Sequence, residues 1–186
     1  MHWSEQADPA AMGLERAFEK SRISLTLADM TLPDAPLIGV NEGFCDMTGY
    51  GPNNALDRNC RFLQPTGGAG PVRARMRQFL KDPAMEEEKF VVPNVTRSGE
   101  EFLNLVYMTK LNRRGKLAYV LGSQFNISGK SANAVDMYDQ ALSQDIVNIG
   151  SLAGENGMVV LGTYQSLASS HSLIAKTRLE QAESKQ

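Results

Sequence analysis

Apolar and polar positions alternate over residues 22–28, with Ile23, Leu25 and Leu27 on one side and Ser24 and Thr26 on the other. That period of two marks a strand. A short helix over residues 14–21 leads into it. Pro33-Asp34 places a turn within residues 29–36, before a second short strand at residues 37–40. Helical spacing then takes over. Asn41 caps a helix carrying Phe44, Cys45 and Met47, and Gly49 ends it. Gly51-Pro52-Asn53-Asn54 breaks the chain before another short helical turn. Residues 58–64 follow, then a glycine-rich loop at 66–70, and Pro71 opens a helix that runs to about Leu80.

Three strands are expected at residues 89–95, 101–109 and 117–126, joined by Arg97-Ser98-Gly99 and Asn112-Arg113-Arg114-Gly115. Connections this short favour antiparallel hairpins. Beyond them Val135, Tyr138, Leu142, Ile146 and Ile149 recur at helical spacing. Gly154-Glu155-Asn156-Gly157 interrupts the pattern, and Leu161, Tyr164, Leu167 and Ile174 resume it. Two amphipathic helices joined by a turn are predicted there. The whole reads as an α+β chain built on a five-stranded antiparallel sheet with helical connections. Residues 1–21 form a leader and cap helix, 22–127 a ligand-sized domain, and 128–186 a helical extension. The apolar stripes of that extension must pack on the sheet, on each other or on a second subunit.

Composition narrows the function classes. The 186 residues are 42% hydrophobic and 22% charged, as in an ordinary globular protein. The formal net charge of -2 leaves no positive excess to draw the whole chain onto nucleic acid or an anionic membrane. No stretch approaches the roughly 20 apolar residues of a membrane span. Residues 1–13 lack the basic start and apolar run of a secretory signal, and residues 1–11 are expected to be a flexible leader or partly vector-derived. Two cysteines, Cys45 and Cys60, are too few for a disulfide framework and point to a reducing cytoplasm. Cys45 reads as a small core residue. His2 and His171 lie far apart without partner cysteines, so no metal site is expected.

The chemistry concentrates in Asn59-Cys60-Arg61-Phe62-Leu63-Gln64, where three polar side chains beside a cysteine are costly to bury without a polar partner. With Asn41, Phe44 and Thr48-Gly49-Tyr50 upstream, and Asn94, Ser98-Gly99, Phe102, Asn104 and Gly122-Ser123-Gln124 downstream, the motif resembles the light-oxygen-voltage (LOV) domains of the PAS family. The resemblance covers residues 23–127. It implies a PAS/LOV fold enclosing a flavin chromophore, FMN in the first place, with FAD or riboflavin as alternatives.

The resemblance also assigns roles. Cys60 is the thiol that adds reversibly to carbon C4a of the light-excited flavin while N5 gains a proton. Such a thiol should be quiet in the dark, the opposite of the usual reactive cysteine with its depressed pKa. Arg61 and Arg77 hold the ribityl phosphate, for which the guanidinium fork is suited; Arg73 competes with Arg77 for the second place. Asn59 and Gln64 complete the cysteine side of the cofactor site. Asn94 and Asn104 offer side-chain amides to the pyrimidine edge. Gln124 faces flavin O4 and N5 and relays the change, since N5 turns from acceptor to donor and an unmade buried hydrogen bond costs on the order of 1–3 kcal/mol. Two positions depart from the family. Asp57 stands where glycine is usual, and Val106 where a bulky Phe or Leu is usual; both bear on the lifetime of the bond.

The expected function is a blue-light photoreceptor, not an enzyme, whose terminal helices repack and whose homodimer is light-sensitive. A DNA-binding regulator working through residues 131–186 is the alternative, with sparse basic residues (Lys176, Arg178 and Lys185) against it. A flavoenzyme or thiol redox sensor is weaker still, because Cys60 has no resolving cysteine beside it.

Overall fold

The computed structural model describes residues 1–162 and 170–183, with side chains to residue 180 in the last helix. One antiparallel sheet organises the chain. Strands β1 (His2–Trp3), β2 (Ser24–Asp29), β3 (Leu37–Val40), β4 (Glu87–Val95), β5 (Glu101–Arg113) and β6 (Lys116–Asn126) lie in the order β1-β3-β2-β6-β5-β4. A seventh, β7 (Met158–Val160), pairs with β5 beyond the reach of β4. The five expected strands are present, and two short ones extend the sheet.

Helices cover both faces. The terminal ones, α1 (Pro9–Met12), α2 (Glu15–Lys20), α6 (Ala132–Glu155) and α7 (Ser170–Glu183), accompany the face that carries Leu25, Leu27, Leu105 and Leu121. The predicted stripe of α6 is the buried one: Val135, Tyr138, Leu142, Ile146 and Ile149 all join that core, with Ala153 added. The intervening helices, α3 (Glu42–Thr48), α4 (Pro52–Ala55), a 3-10 turn at Cys60–Leu63 and α5 (Val72–Lys81), cover the opposite face. Because both faces are covered, Ser24 and Thr26 of β2 are buried along with its leucines. Their alternation separates two interiors rather than inside from outside.

Local signals set the helix ends. The buried Asn41 side chain accepts from the Phe44 N–H at 3.1 Å and caps α3. Gly49 closes that helix at φ 73°, a left-handed position glycine occupies without strain. Pro52 starts α4 instead of merely interrupting the chain, since its missing N–H is not needed at a first helical position.

Two expectations are corrected. Residues 1–11 are not a flexible leader: β1 pairs with β3, and the Trp3 ring packs 5.8 Å from that of Phe18. Trp3 also lies against Gly39, where an added Cβ would come within 2.6 Å of the indole. A single large aromatic buries enough surface to dock a short segment. The second correction concerns the tail. After α6 and the turn at Gly157 the chain returns to the sheet as β7, and the Leu161 N–H donates to the Lys110 carbonyl at 3.0 Å. Leu161 is thus extended rather than helical, Ile174 is buried in α7, and Tyr164 and Leu167 lie outside the described residues. Cys45 is half-buried beside Phe44; burial, then the neighbouring Glu42 and Asp46, pushes its thiol pKa up.

Candidate functional site

The face of the sheet under α3, α5 and the 3-10 turn holds a pocket. Its floor is Thr26 from β2, Val92 and Asn94 from β4, Asn104, Val106 and Met108 from β5, and Val120, Gly122 and Gln124 from β6. Phe44, Cys60, Leu63, Gln64 and Met76 close it from above. The register follows from the two hairpins: Val106 lies opposite Gln124, and Val92 opposite Asn104. Side chains two apart on each strand therefore share the floor.

Three amides set its polar chemistry. Asn104 Nδ2 donates to Asn94 Oδ1 at 2.8 Å, and Asn94 Nδ2 donates to the Pro93 carbonyl at 2.8 Å. Asn104 is 1% exposed, and its Oδ1 is buried without a hydrogen-bond partner. A lone buried acceptor of this kind costs about 1–3 kcal/mol unless a ligand donates to it. On the far strand, Gln124 Oε1 accepts from the Ser24 hydroxyl at 2.8 Å, and Nε2 donates to the Thr26 hydroxyl at 2.8 Å. A largely apolar slot with an amide edge suits a flat heteroaromatic group that carries an N–H.

Cys60 opens the 3-10 turn and reaches the pocket from its rim. The residue meets solvent on its outer side. Desolvation by the protein packed around the sulfur nonetheless pushes its pKa above the ordinary thiol value, and the Arg61 guanidinium pulls it back only in part. The resting group is a neutral thiol.

Not every residue singled out in the sequence lies at this pocket. Cys60, Gln64, Asn94, Asn104 and Gln124 line it together. Asn59 and Arg61 turn to the β2–β3 loop instead. Asn59 Nδ2 donates to the Asp34 carbonyl at 2.6 Å, and Arg61 holds both Asp34 carboxylate oxygens at 2.7 and 2.8 Å. Arg77 is exposed on α5. Arg73, one turn earlier, shares a neighbour with the lining residue Gln64: its Nη1 and the Gln64 Oε1 flank Gly68, 3.8 and 3.9 Å from where a Cβ would stand. Sequence reasoning missed Ser24, Thr26 and Asp34. The inward side of the β2 alternation was the available signal for the first two. Among the described residues no group of three or more His, Cys, Asp or Glu side chains gathers as for a metal ion, and no helix is long and apolar enough to cross a membrane.

Residues 26–129 match the family model of the PAS domain, more than half of the chain. The chain is 34% identical to the d2 variant of RsLOV over an alignment covering 81% of this chain and 89% of that one, with a TM-score of 0.70. This chain belongs to the LOV branch of the PAS family. The Rhodobacter sphaeroides LOV protein also superposes at a TM-score of 0.70, with 29% identity, over 81% of this chain and 94% of that one. A blue-light-activated histidine kinase of Rhizobium johnstonii is 34% identical over 114 residues, which are 60% of this chain and 32% of the kinase. The LOV chain thus spans about a third of that relative's length.

Proposed function

We propose that this LOV protein is a blue-light sensor that binds a flavin in the pocket between Cys60 and the strand amides. The supporting observation is the pairing of a neutral, pocket-facing thiol with a buried amide edge that holds one acceptor, Asn104 Oδ1, in reserve. Bound flavin would supply the blue-light absorption and the excited ring carbon, C4a, that accepts a nucleophile. Cys60 would be that nucleophile: its sulfur would bond to C4a while its thiol proton went to ring nitrogen N5, and the bond would break in the dark with the proton returned to sulfur. Asn94 and Asn104 orient the pyrimidine edge, with Asn104 Oδ1 accepting the ring N–H. Gln64 and Gln124 meet the ring on the cysteine and β6 sides. Gln124 would turn its amide if a flavin atom beside it changed from acceptor to donor.

The proposed flavin is FMN, with Arg61 and either Arg77 or Arg73, the latter beside Gly68 and Gln64, on its phosphate, and Asn59 fixing the turn that carries Cys60. Arg61 takes up that role by exchanging Asp34 for the phosphate, an exchange favoured by the exposure of the ion pair. Output is a change in packing of the terminal helices and in the homodimer, without catalytic turnover and in the cytoplasm.

Absorption spectra of the purified protein before and after blue light test the reading. The visible flavin band should bleach and return in darkness, and Cys60→Ser should abolish the slowly reverting bleach while keeping the flavin. A serine variant that still bleached in the same way would defeat the assignment. Molecular mass in darkness and under illumination tests the dimer, and identical masses would defeat that part alone.

A further inference from the structure

Gln124 belongs to two spaces at once. It lines the pocket beside Thr26 and Gly122, and it also lines an outer groove between α3 and α6 beside Ser24 and Phe125. Its amide is gripped from both sides by hydroxyls of β2, each near 5% exposed. Gly122 makes room for the grip: a Cβ there would stand 2.7 Å from Thr26 Oγ1 and 2.8 Å from Gln124 Nε2.

We infer that Ser24 and Thr26 are positioning residues for the Gln124 amide, and that they carry its orientation into β2 and from β2 to α6. The inference rests on the flavin reading above.

Hydroxyls suit this task because each can donate or accept. At rest Ser24 donates to Oε1, while Thr26 accepts from Nε2 and turns its own hydrogen to the Gly122 carbonyl at 3.4 Å. An inverted amide is held by the same two oxygens with their roles exchanged: Ser24 accepts from Nε2, and Thr26 withdraws its hydrogen from Gly122 and gives it to Oε1. Neither orientation leaves a buried amide atom unpaired, so the two are close in energy and a change in the pocket can select between them. The segment that leads into the strand registering the selection is anchored to the output helix. Three residues before Ser24, the Ser21 hydroxyl donates to Asp145 of α6 at 2.6 Å, and it also lies 3.1 Å from the Ile23 carbonyl and N–H. The N-terminal end of β2 thus holds the relay amide, and the segment leading into that same end touches α6 through Ser21.

The test follows two signals in one sample of the full chain carrying flavin: the blue-light bleach, and the light-minus-dark change in amide hydrogen exchange across α6. The α6 change is normalised to the bleached fraction. Ser24→Ala and Thr26→Val should each reduce it by about three- to tenfold, as loss of one hydrogen bond implies. Ser24→Thr and Thr26→Ser, which keep the hydroxyls, should restore it. Ser21→Ala should reduce the α6 response and leave the bleach as in the parent. Variants that bleach and retain the full α6 response would overturn the inference and leave the sensor intact. A parent that does not bleach would overturn the sensor reading, and this inference with it.

Discussion

Asn41 serves four partners with one side chain, the Phe18 carbonyl at 3.5 Å among them. Its Oδ1 accepts from the Leu25 N–H at 2.9 Å and the Phe44 N–H at 3.1 Å, and its Nδ2 donates to the Ile23 carbonyl at 2.8 Å. The residue therefore caps α3 and ties that helix to β2. Asn41→Ala would remove the cap and leave buried strand groups unpaired, a loss of about 2–4 kcal/mol from a cap term and one or two unmet bonds. Urea unfolding should show it, and a loss below about 0.5 kcal/mol would mean that water replaces the amide. The cap was legible in the sequence, because asparagine before an apolar helical run has a local meaning. The strand bonds were not, because they depend on where β2 comes to lie. Arg61 shows the same division. Its place beside Cys60 is written in the motif, but its partner Asp34 sits 27 residues earlier at φ 67°, followed by Ala35 at φ 46°. A turn with two non-glycine residues in the left-handed region has no simple sequence signature.

Elements with a strong period were the ones most fully readable. The α6 stripe was visible because five apolar positions at helical spacing leave one side to bury. β7 was not, since three residues gain a strand's hydrogen bonds only from a distant edge. The contact that fastens α7 was equally hidden. Lys89 of β4, almost wholly buried, donates to the Ser170 hydroxyl at 2.8 Å, and that hydroxyl donates to Asp139 of α6 at 2.6 Å. Burial pulls the Lys89 pKa below the ordinary 10.5, and Asp139 pulls it partly back. With the folded pKa depressed, the unfolded chain binds the proton more tightly. The parent should therefore gain stability relative to Lys89→Met as pH rises from neutrality towards 10.5. Urea midpoints of the two proteins over that range check it, and a constant difference would show that the ammonium carries no net penalty in the fold.

At the scale of the whole molecule, the sheet is a partition one strand layer thick, with the candidate pocket on one face and the terminal helices on the other. The sequence disclosed the pocket side through residues matched in spacing. It disclosed less of the other side, where Trp3, Phe18 and Met158 meet the α6 stripe from opposite ends of the chain. The two terminal strands also do something for the partition itself. β1 covers the outer edge of β3, and β7 covers the part of β5 that β4 does not reach. Unpaired strand borders are templates for joining another molecule. A protein trimmed to residues 22–127 should consequently self-associate in darkness, with a mass in light scattering that climbs past the dimer as concentration rises, while the full chain goes no further than the dimer. The ends of this chain act as guards against sticking, and any oligomer measured without them would report the missing guards rather than the light.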